Sequence, residues 1–416
     1  MKRAILFLEP KGTIFEVLRE AKSRELVTIV VTQDQRGLEQ VPHPYSISAK
    51  LTDVVIEVSS WARPDEAVAF INEKVTDYSV VGVYSGMEAT MLSAAILRQR
   101  VGLPTSTPEA IDLVTNKLRL RETLCRDGLS YLDSTPGNKD HEIGLLDFRN
   151  TYYFKPVRGC ASAYVKRCQS HEDVWAAKAD FQRRAEAMPR YLEDYILSED
   201  GFYLEQEAQG ELLSVEAIVD RGVFRPLGLL SRILYSKNHV VEMGSCFPYP
   251  HTQESAIIKC VEDAHKALGL SHGPTHTEVM VSNDSIEIID LNPRFVGADV
   301  LQSINNAYGT RIEKLLLDNC LGLPIDVPRN NQAYSCLQYF LSPDAGKLQD
   351  LSFPKGEEIK FTASFKRPGD VLNGSDKQLD YLGCYLTVMP TFDEALARSR
   401  ELRAQVQING DVQGVF

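Results

Sequence analysis

The chain has no apolar run approaching the ~20 residues that a bilayer crossing takes, and its 416 residues contain no internal repeat or low-complexity tract. Behind Lys2 and Arg3 the only apolar stretch is Ala4 to Leu8, closed by Glu9. That is too short for a secretory signal and reads as a first strand, so the expected location is cytoplasmic. No two of the eight cysteines form a CxxC pair. Neither zinc nor a disulfide framework is therefore expected, and most cysteines read as buried thiols of a reducing compartment. A GxGxxG turn is also missing, which argues against an NAD site. Basic excess is missing too: a net charge of -12 argues against nucleic acid or an anionic membrane as main partner. What remains is a composition of 44% hydrophobic and 25% charged residues, that of a soluble globular protein. The length is too great for one ordinary core and predicts two to four domains.

The most informative segment is Thr277 to Arg294. Two apolar runs flank a Ser-Asn-Asp-Ser turn cluster, the pattern of a β-hairpin. A three-residue loop centred on Asp284 sets Glu278 opposite Asp290 and puts Asn292 on the same face. Like charges facing across a ladder are destabilising, so a cation between them is expected. Oxygen-only ligands suit Mg²⁺, which fills its shell with water and phosphate oxygens. Arg294 follows at once, suited to gripping a phosphate with two prongs. The plainer reading is a solvated edge. Against it, Val279, Val281, Ile289 and Leu291 on one face and Met280, Ile286 and Ile288 on the other predict a hairpin covered on both sides. Carboxylates at a covered end need a partner.

Up to about residue 112 the chain alternates strands (4–8, 27–32, 54–58, 80–84) with helices (14–25, 65–75, 88–100), which predicts a doubly wound parallel sheet. Thr107-Pro108 is a helix start. A helix over 116–126 follows, then strands at 152–156 and 163–167 around a tight turn, and a capping box at Ser170 to Asp173. Residues 190–250 read as antiparallel strands: 191–196, 212–219, 223–230 and 240–243. A helix over 253–268 is capped by Thr252 and stopped by Gly269. Pro324 to Arg329 marks a joint. Beyond it come strands and one helix, 392–406, with Thr391 as its cap.

With these motifs in place, the chain resembles the ATP-grasp superfamily over nearly its whole length. The carrying motif is Glu278 followed by Asp290-Leu291-Asn292-Pro293-Arg294-Phe295-Val296-Gly297-Ala298-Asp299. His276-Thr277-Glu278 and Ser214-Val215-Glu216-Ala217-Ile218 are similar to the H-T-E and S-[IV]-E-G-[IV] runs of L-amino acid ligases, the dipeptide synthetases of the bacilysin type. The resemblance implies a doubly wound domain (1–112), a small ATP-grasp subdomain (113–190), a central catalytic subdomain (191–330) and a small C-terminal α+β subdomain (331–416). It implies phosphoryl transfer from ATP to a carboxylate, then amide formation with an amine. Both substrates are expected to be amino acids, and relatives are often dimers. An acceptor of another kind and a regulator without turnover are the alternatives.

Residue by residue, the resemblance gives Glu278, Asp290 and Asn292 as ligands of Mg²⁺, two ions by the family pattern, with Mn²⁺ as a substitute. Arg294 is the arginine that stabilises the acyl phosphate. Lys117 and Lys155 are the ATP lysines, and Ser162 lies in the phosphate loop Arg158 to Ser162. Glu193 and Ile196 lie in the hinge strand that reads adenine, with Glu199 or Asp200 as the ribose acid. Glu216, Glu242 and Gly297 line the substrate pocket, and His276 orients substrate or assists proton removal from the amine. Three departures stand out: Asp290 replaces the commoner Glu, Ala298 replaces a Gly, and Arg232 stands where relatives often carry Lys.

Overall fold

The computed structural model describes residues 1–10, 14–35, 51–184, 188–197, 201–236, 238–297, 299–342, 344–374 and 377–412. The first part is the expected doubly wound unit. Its four parallel strands stand in the order Val54–Glu57, Val27–Thr32, Lys2–Leu8, Tyr78–Ser85. Strand Lys2–Leu8 is buried from Ala4 onward, as parallel strands covered on both faces must be. Helices Ile14–Ser23 and Pro64–Lys74 supply crossovers, and Glu88–Arg100 follows the last strand. Among the described residues no helix is long and apolar enough to cross a membrane.

Among the described residues five antiparallel sheets follow, of which the three larger matter here. The first runs Ser134–Pro136, Phe202–Gln206, Tyr152–Pro156, Lys166–Cys168. The second runs Val223–Ser231, Glu211–Asp220, Gly273–Val281, Ile286–Asn292. A five-stranded sheet joins Ile233–Tyr235 and Asn238–Phe247 to Tyr334–Phe340, Gly383–Met389 and Ile359–Ser364. Strand Asn238–Phe247 thus ties the middle of the chain to its last part. The tie is covalent as well: Cys246 and Cys336 face each other across the ladder and are joined by a disulfide, S–S 2.16 Å. The cysteine spacing predicted none, because two residues 90 apart in sequence become neighbours only when the sheet forms.

Several local expectations need correction. Residues 191–196 are not a strand but part of helix Arg190–Ile196. Tyr191, Leu192, Tyr195 and Ile196 are the buried ones, a spacing of one helical face rather than of alternation. The strand predicted at 163–167 is only Lys166–Cys168, because Ala161, Ser162 and Tyr164 take positive φ of 51°, 53° and 57°. Gln253, not Thr252, is at the cap position of helix Glu254–Ala267, and its side chain makes no capping bond. Thr107, Ser170 and Thr391 do cap their helices through side-chain oxygens.

The hairpin also differs in its details. Val281 pairs with Ile286, and Ser282 N–H donates to Ser285 O at 2.9 Å, so the loop closes one residue tighter than expected, around Asn283 and Asp284. Val279 then pairs with Ile288 while Glu278 pairs with Asp290, which leaves Ile289 as the extra residue of a β-bulge. The bulge restores the expected pairing at the charged end. It also moves Ile288 onto the face of Val279, where both are fully buried with Leu291, not onto that of Met280.

Candidate active site

The bulge is the device that aims the hairpin. An extra residue twists the strand and turns the residues beyond it, here Asp290, Leu291 and Asn292. Asp290 lies opposite Glu278, and Asn292 opposite His276. Asn292 donates from Nδ2 to Asp290 Oδ2 at 3.3 Å, which leaves its amide oxygen on offer as a ligand atom.

Each carboxylate of the facing pair is held by a cation. Lys117, first residue of helix Lys117–Arg126, bonds Asp290 through Nζ. A lysine at the positive end of a helix is unfavourable by itself. Burial alone would lower its pKa, but Asp290 overrides this and raises it. Glu278 is held by Arg232, Nη2 to Oε1 3.2 Å, and the same guanidinium reaches Glu242 at 2.9 Å. His276 sits between two acids, Nδ1 to Glu216 Oε1 2.6 Å and Nε2 to Glu278 Oε1 3.4 Å. Burial would lower its pKa, but Glu216 pushes it up to about 9. Burial of Glu278 is outweighed by Arg232 and His276, which hold its carboxyl far below the usual range. Burial pushes Glu242 up to about 6 against the pull of Arg232. One oxygen of each substrate-pocket acid, Oε2 of Glu216 and Oε1 of Glu242, is buried with no hydrogen-bond partner. A buried acceptor left unpaired is costly, and both atoms invite a donor from a ligand.

Arg294 turns back to the first domain. Its Nη2 bonds Glu88, which opens helix Glu88–Arg100, and its Nη1 donates to Phe295 O at 2.8 Å. Glu88 is 5% exposed and was missed in the sequence. Its signal was its place: it lies just beyond the carboxyl end of strand Tyr78–Ser85, next to the reversal of strand order where open α/β sheets bind ligands.

Lys155 lies in strand Tyr152–Pro156 and bonds Glu205 through Nζ. Glu205 also takes Arg121 Nε at 2.8 Å. Burial would raise the Glu205 pKa, but Arg121 and Lys155 bring it to about 2. Ser162 lies in the loop between strands Tyr152–Pro156 and Lys166–Cys168. Its left-handed backbone beside that of Ala161 forms a turn of the kind whose N–H groups can cradle an anion. Lys117 N–H donates to Val157 O at 2.8 Å and so ties this loop to the helix carrying the first lysine. Burial pushes the Cys160 thiol up, which keeps it unreactive.

The segment expected as the adenine-reading strand is a helix. Glu193 and Ile196 stand on a helix whose amides are used internally, as in Leu197 N to Glu193 O at 3.0 Å. Glu193 meets Arg184 at 3.5 Å, while Ile196 is fully buried under the loop at Gly159. The chain crosses from the small sheet to the large one between Gln206 and Glu211 instead. Gly297 is exposed beside Arg294. Glu199, Asp200 and Ala298 lie outside the described residues.

Two facing carboxylates and an amide oxygen, each carboxylate neutralised by a movable cationic side chain, fit a hard oxygen-seeking ion such as Mg²⁺. Among the described residues no three His, Cys, Asp or Glu side chains form a metal cluster of their own. The site therefore suits an ion that brings phosphate and water with it.

Comparison with known proteins agrees. Residues 151–302 match the model of the ATP-grasp domain. Around it, the sequence is 23% identical over 333 residues to alanine–anticapsin ligase of Bacillus amyloliquefaciens, covering 73% of this chain and 67% of that protein. It is 20% identical over 385 residues to the ligase of the same name from Bacillus subtilis (strain 168), covering 86% and 78%. The fold is that of an L-amino acid ligase from Bacillus licheniformis, with a TM-score of 0.78, 18% identity and 99% of each chain covered. It is also similar to the biotin carboxylase domain of a 2-oxoglutarate carboxylase from Hydrogenobacter thermophilus, TM-score 0.71 at 14% identity, covering 97% and 90%. That protein was solved with MgADP, ADP and bicarbonate. The ATP-grasp match contains Lys155, Ser162, Glu216, Glu278, Asp290, Asn292 and Arg294, whereas Lys117 precedes it.

Proposed function

We propose that the protein is an ATP-dependent carboxylate–amine ligase that joins two amino acids and releases ADP and phosphate. The observation that carries the reading is the facing pair Glu278 and Asp290, with Lys117 on one carboxylate and Arg232 on the other. Phosphoryl transfer is mostly positioning and charge stabilisation, and this pair is a charge-balanced seat for a triphosphate. Glu278, Asp290 and Asn292 would hold Mg²⁺, two ions in our reading with Mn²⁺ able to substitute, and the metal would neutralise the phosphate oxygens. Lys117 and Lys155 face the phosphates from the two sides, and the loop at Ser162 closes over them. The backbone between Gln206 and Gly210, where the chain passes between the two sheets, is the better place for the adenine edge.

The donor carboxylate attacks the γ-phosphorus, forming an acyl phosphate and ADP. Arg294 stabilises that mixed anhydride and the tetrahedral oxyanion formed when the amine attacks. The amine's ammonium is received by the orphaned oxygens of Glu216 and Glu242. His276 carries its proton through neutral pH, so its role is to hold Glu216 and Glu278 in place, not to remove a proton from the amine. Glu242, with a pKa of about 6, is the better proton acceptor.

The test is phosphate release from ATP and Mg²⁺ across single and paired L-amino acids. Release that requires a particular pair supports the reading and names the substrates. Release with one amino acid alone points to an amine of another class. No release with any pair, while ATP still binds, rejects it.

A further inference from the structure

No residue of the active site lines the cavity of about 510 Å³ that opens where three elements meet. These are edge strand Val223–Ser231, the start of helix Glu254–Ala267, and the linker carrying Asp326 and Arg329. A volume of this size suits a small molecule. Four charged side chains line it, Arg225, Arg329, Glu254 and Asp326, and among the described residues none of the four makes an ion pair. Glu254, Asp326 and Arg329 stand exposed around it, whereas Arg225 is half-buried. The Nε of Arg225 is shut off from solvent and bonded to nothing. A guanidinium in that state lacks an acceptor, and a carboxylate supplies two in matching geometry.

The floor of the cavity is built, not accidental. Leu227 is the extra residue of a second bulge, between Pro226 and Gly228, and the Tyr308 hydroxyl donates to its carbonyl. Gly228 has φ +147°, and a β-carbon there would stand 3.2 Å from the Phe247 ring. Tyr308 lines the cavity and offers its ring as an apolar wall.

We propose that this cavity is a second, non-catalytic binding site for a zwitterionic dipeptide, with its carboxylate on Arg225 and its ammonium toward Glu254 and Asp326. Two positive and two negative groups without partners match a ligand that carries one of each and is neutral overall. A single small amino acid would leave much of the volume empty, whereas a dipeptide with a ring side chain lays that ring against Tyr308. The zwitterion follows from the cavity alone; the choice of a dipeptide rests on the ligase reading.

The experiment is calorimetric titration of L-alanyl-L-phenylalanine into the full chain carrying Arg294→Ala, so that no turnover is needed. One equivalent is expected to bind at the cavity. Amidation of the ligand's carboxylate, or adding Arg225→Met, should each weaken that binding at least tenfold, and N-acetylation several-fold. Arg225→Met alone should leave phosphate release in the paired amino acid assay within twofold of wild type. Absence of binding, or binding indifferent to both amidation and Arg225→Met, overturns the proposal. Failure of the ligase reading shows separately, as absent phosphate release with dipeptide binding intact.

Discussion

Two lysines reach carboxylates from neighbouring sheets, and the pairs are built for different ends. Glu205 is closed in: it and Arg121 are each 2% exposed, and Arg121 also donates to Ser130 at 2.7 Å and to Ile288 O at 2.5 Å. Lys155 adds a second cation to a carboxylate already satisfied. Asp290 is more open: it and Lys117 are 20% and 17% exposed, and besides the lysine it takes Leu291 N–H at 3.1 Å and Asn292 Nδ2 at 3.3 Å and faces Glu278. The first arrangement locks the small sheet to the catalytic hairpin. The second can exchange its lysine for a ligand. The lesson is that two lysines matching one family pattern stand on different footings, one braced by a closed cluster and one on a single, partly exposed carboxylate.

Glu205→Ala breaks the closed cluster and strands a buried Arg121. It should lower stability by about 3–5 kcal/mol, read as a fall in the denaturant midpoint. Asp290→Asn keeps hydrogen bonds in the open pair and should cost stability no more than about 1–2 kcal/mol. Turnover in the same variant should fall by about 10²–10³-fold, measured as phosphate release. If the two variants lose stability equally, the distinction between the pairs is wrong.

The pH profile of the ligand-free protein separates the regions again. Glu205 has its folded pKa depressed from 4.5 to about 2. Its contribution is present above about pH 4.5 and is lost as pH falls toward 2. His276 has its folded pKa raised from 6.5 to about 9. Its contribution is full below about pH 6.5 and is lost as pH rises through 9. Each limb is worth a few kcal/mol. Glu205→Gln should shrink the acid limb and leave the alkaline one, whereas His276→Asn should remove the alkaline limb and also shrink the acid one through Glu278, checked by urea melts from pH 3 to 10. The smallest effect belongs outside both regions. Ser170 caps helix His171–Gln182, and Ser170→Ala should cost about 1 kcal/mol with turnover unchanged.

How much of this could be read beforehand differs between the same regions. Apolar runs and period-3.6 patterns placed the first part's strands and helices within a few residues, most plainly at Lys2–Leu8 and Val27–Thr32, which are buried almost throughout. Glu278 opposite Asp290 was legible too, but by two departures that cancel: a loop tighter by one residue and a bulge at Ile289. Sequence carries no signal for a bulge at an isoleucine. Residues 191–196 misled because a seven-residue helix is too short to show a full period, and Tyr and Ile favour strands. Glu88 and Arg232 needed the fold, since their partners Arg294 and Glu242 are brought to them by sheet order and not by chain proximity.

The central claim is that a carboxylate is activated as its acyl phosphate. It is tested most directly by labelling both oxygens of the donor amino acid's carboxylate with oxygen-18, supplying ATP, Mg²⁺ and the acceptor, and weighing the released phosphate. The account predicts one labelled oxygen in each phosphate and one left in the amide carbonyl. Unlabelled phosphate, with amide formed, would mean that the carboxylate never met the γ-phosphorus and would contradict it.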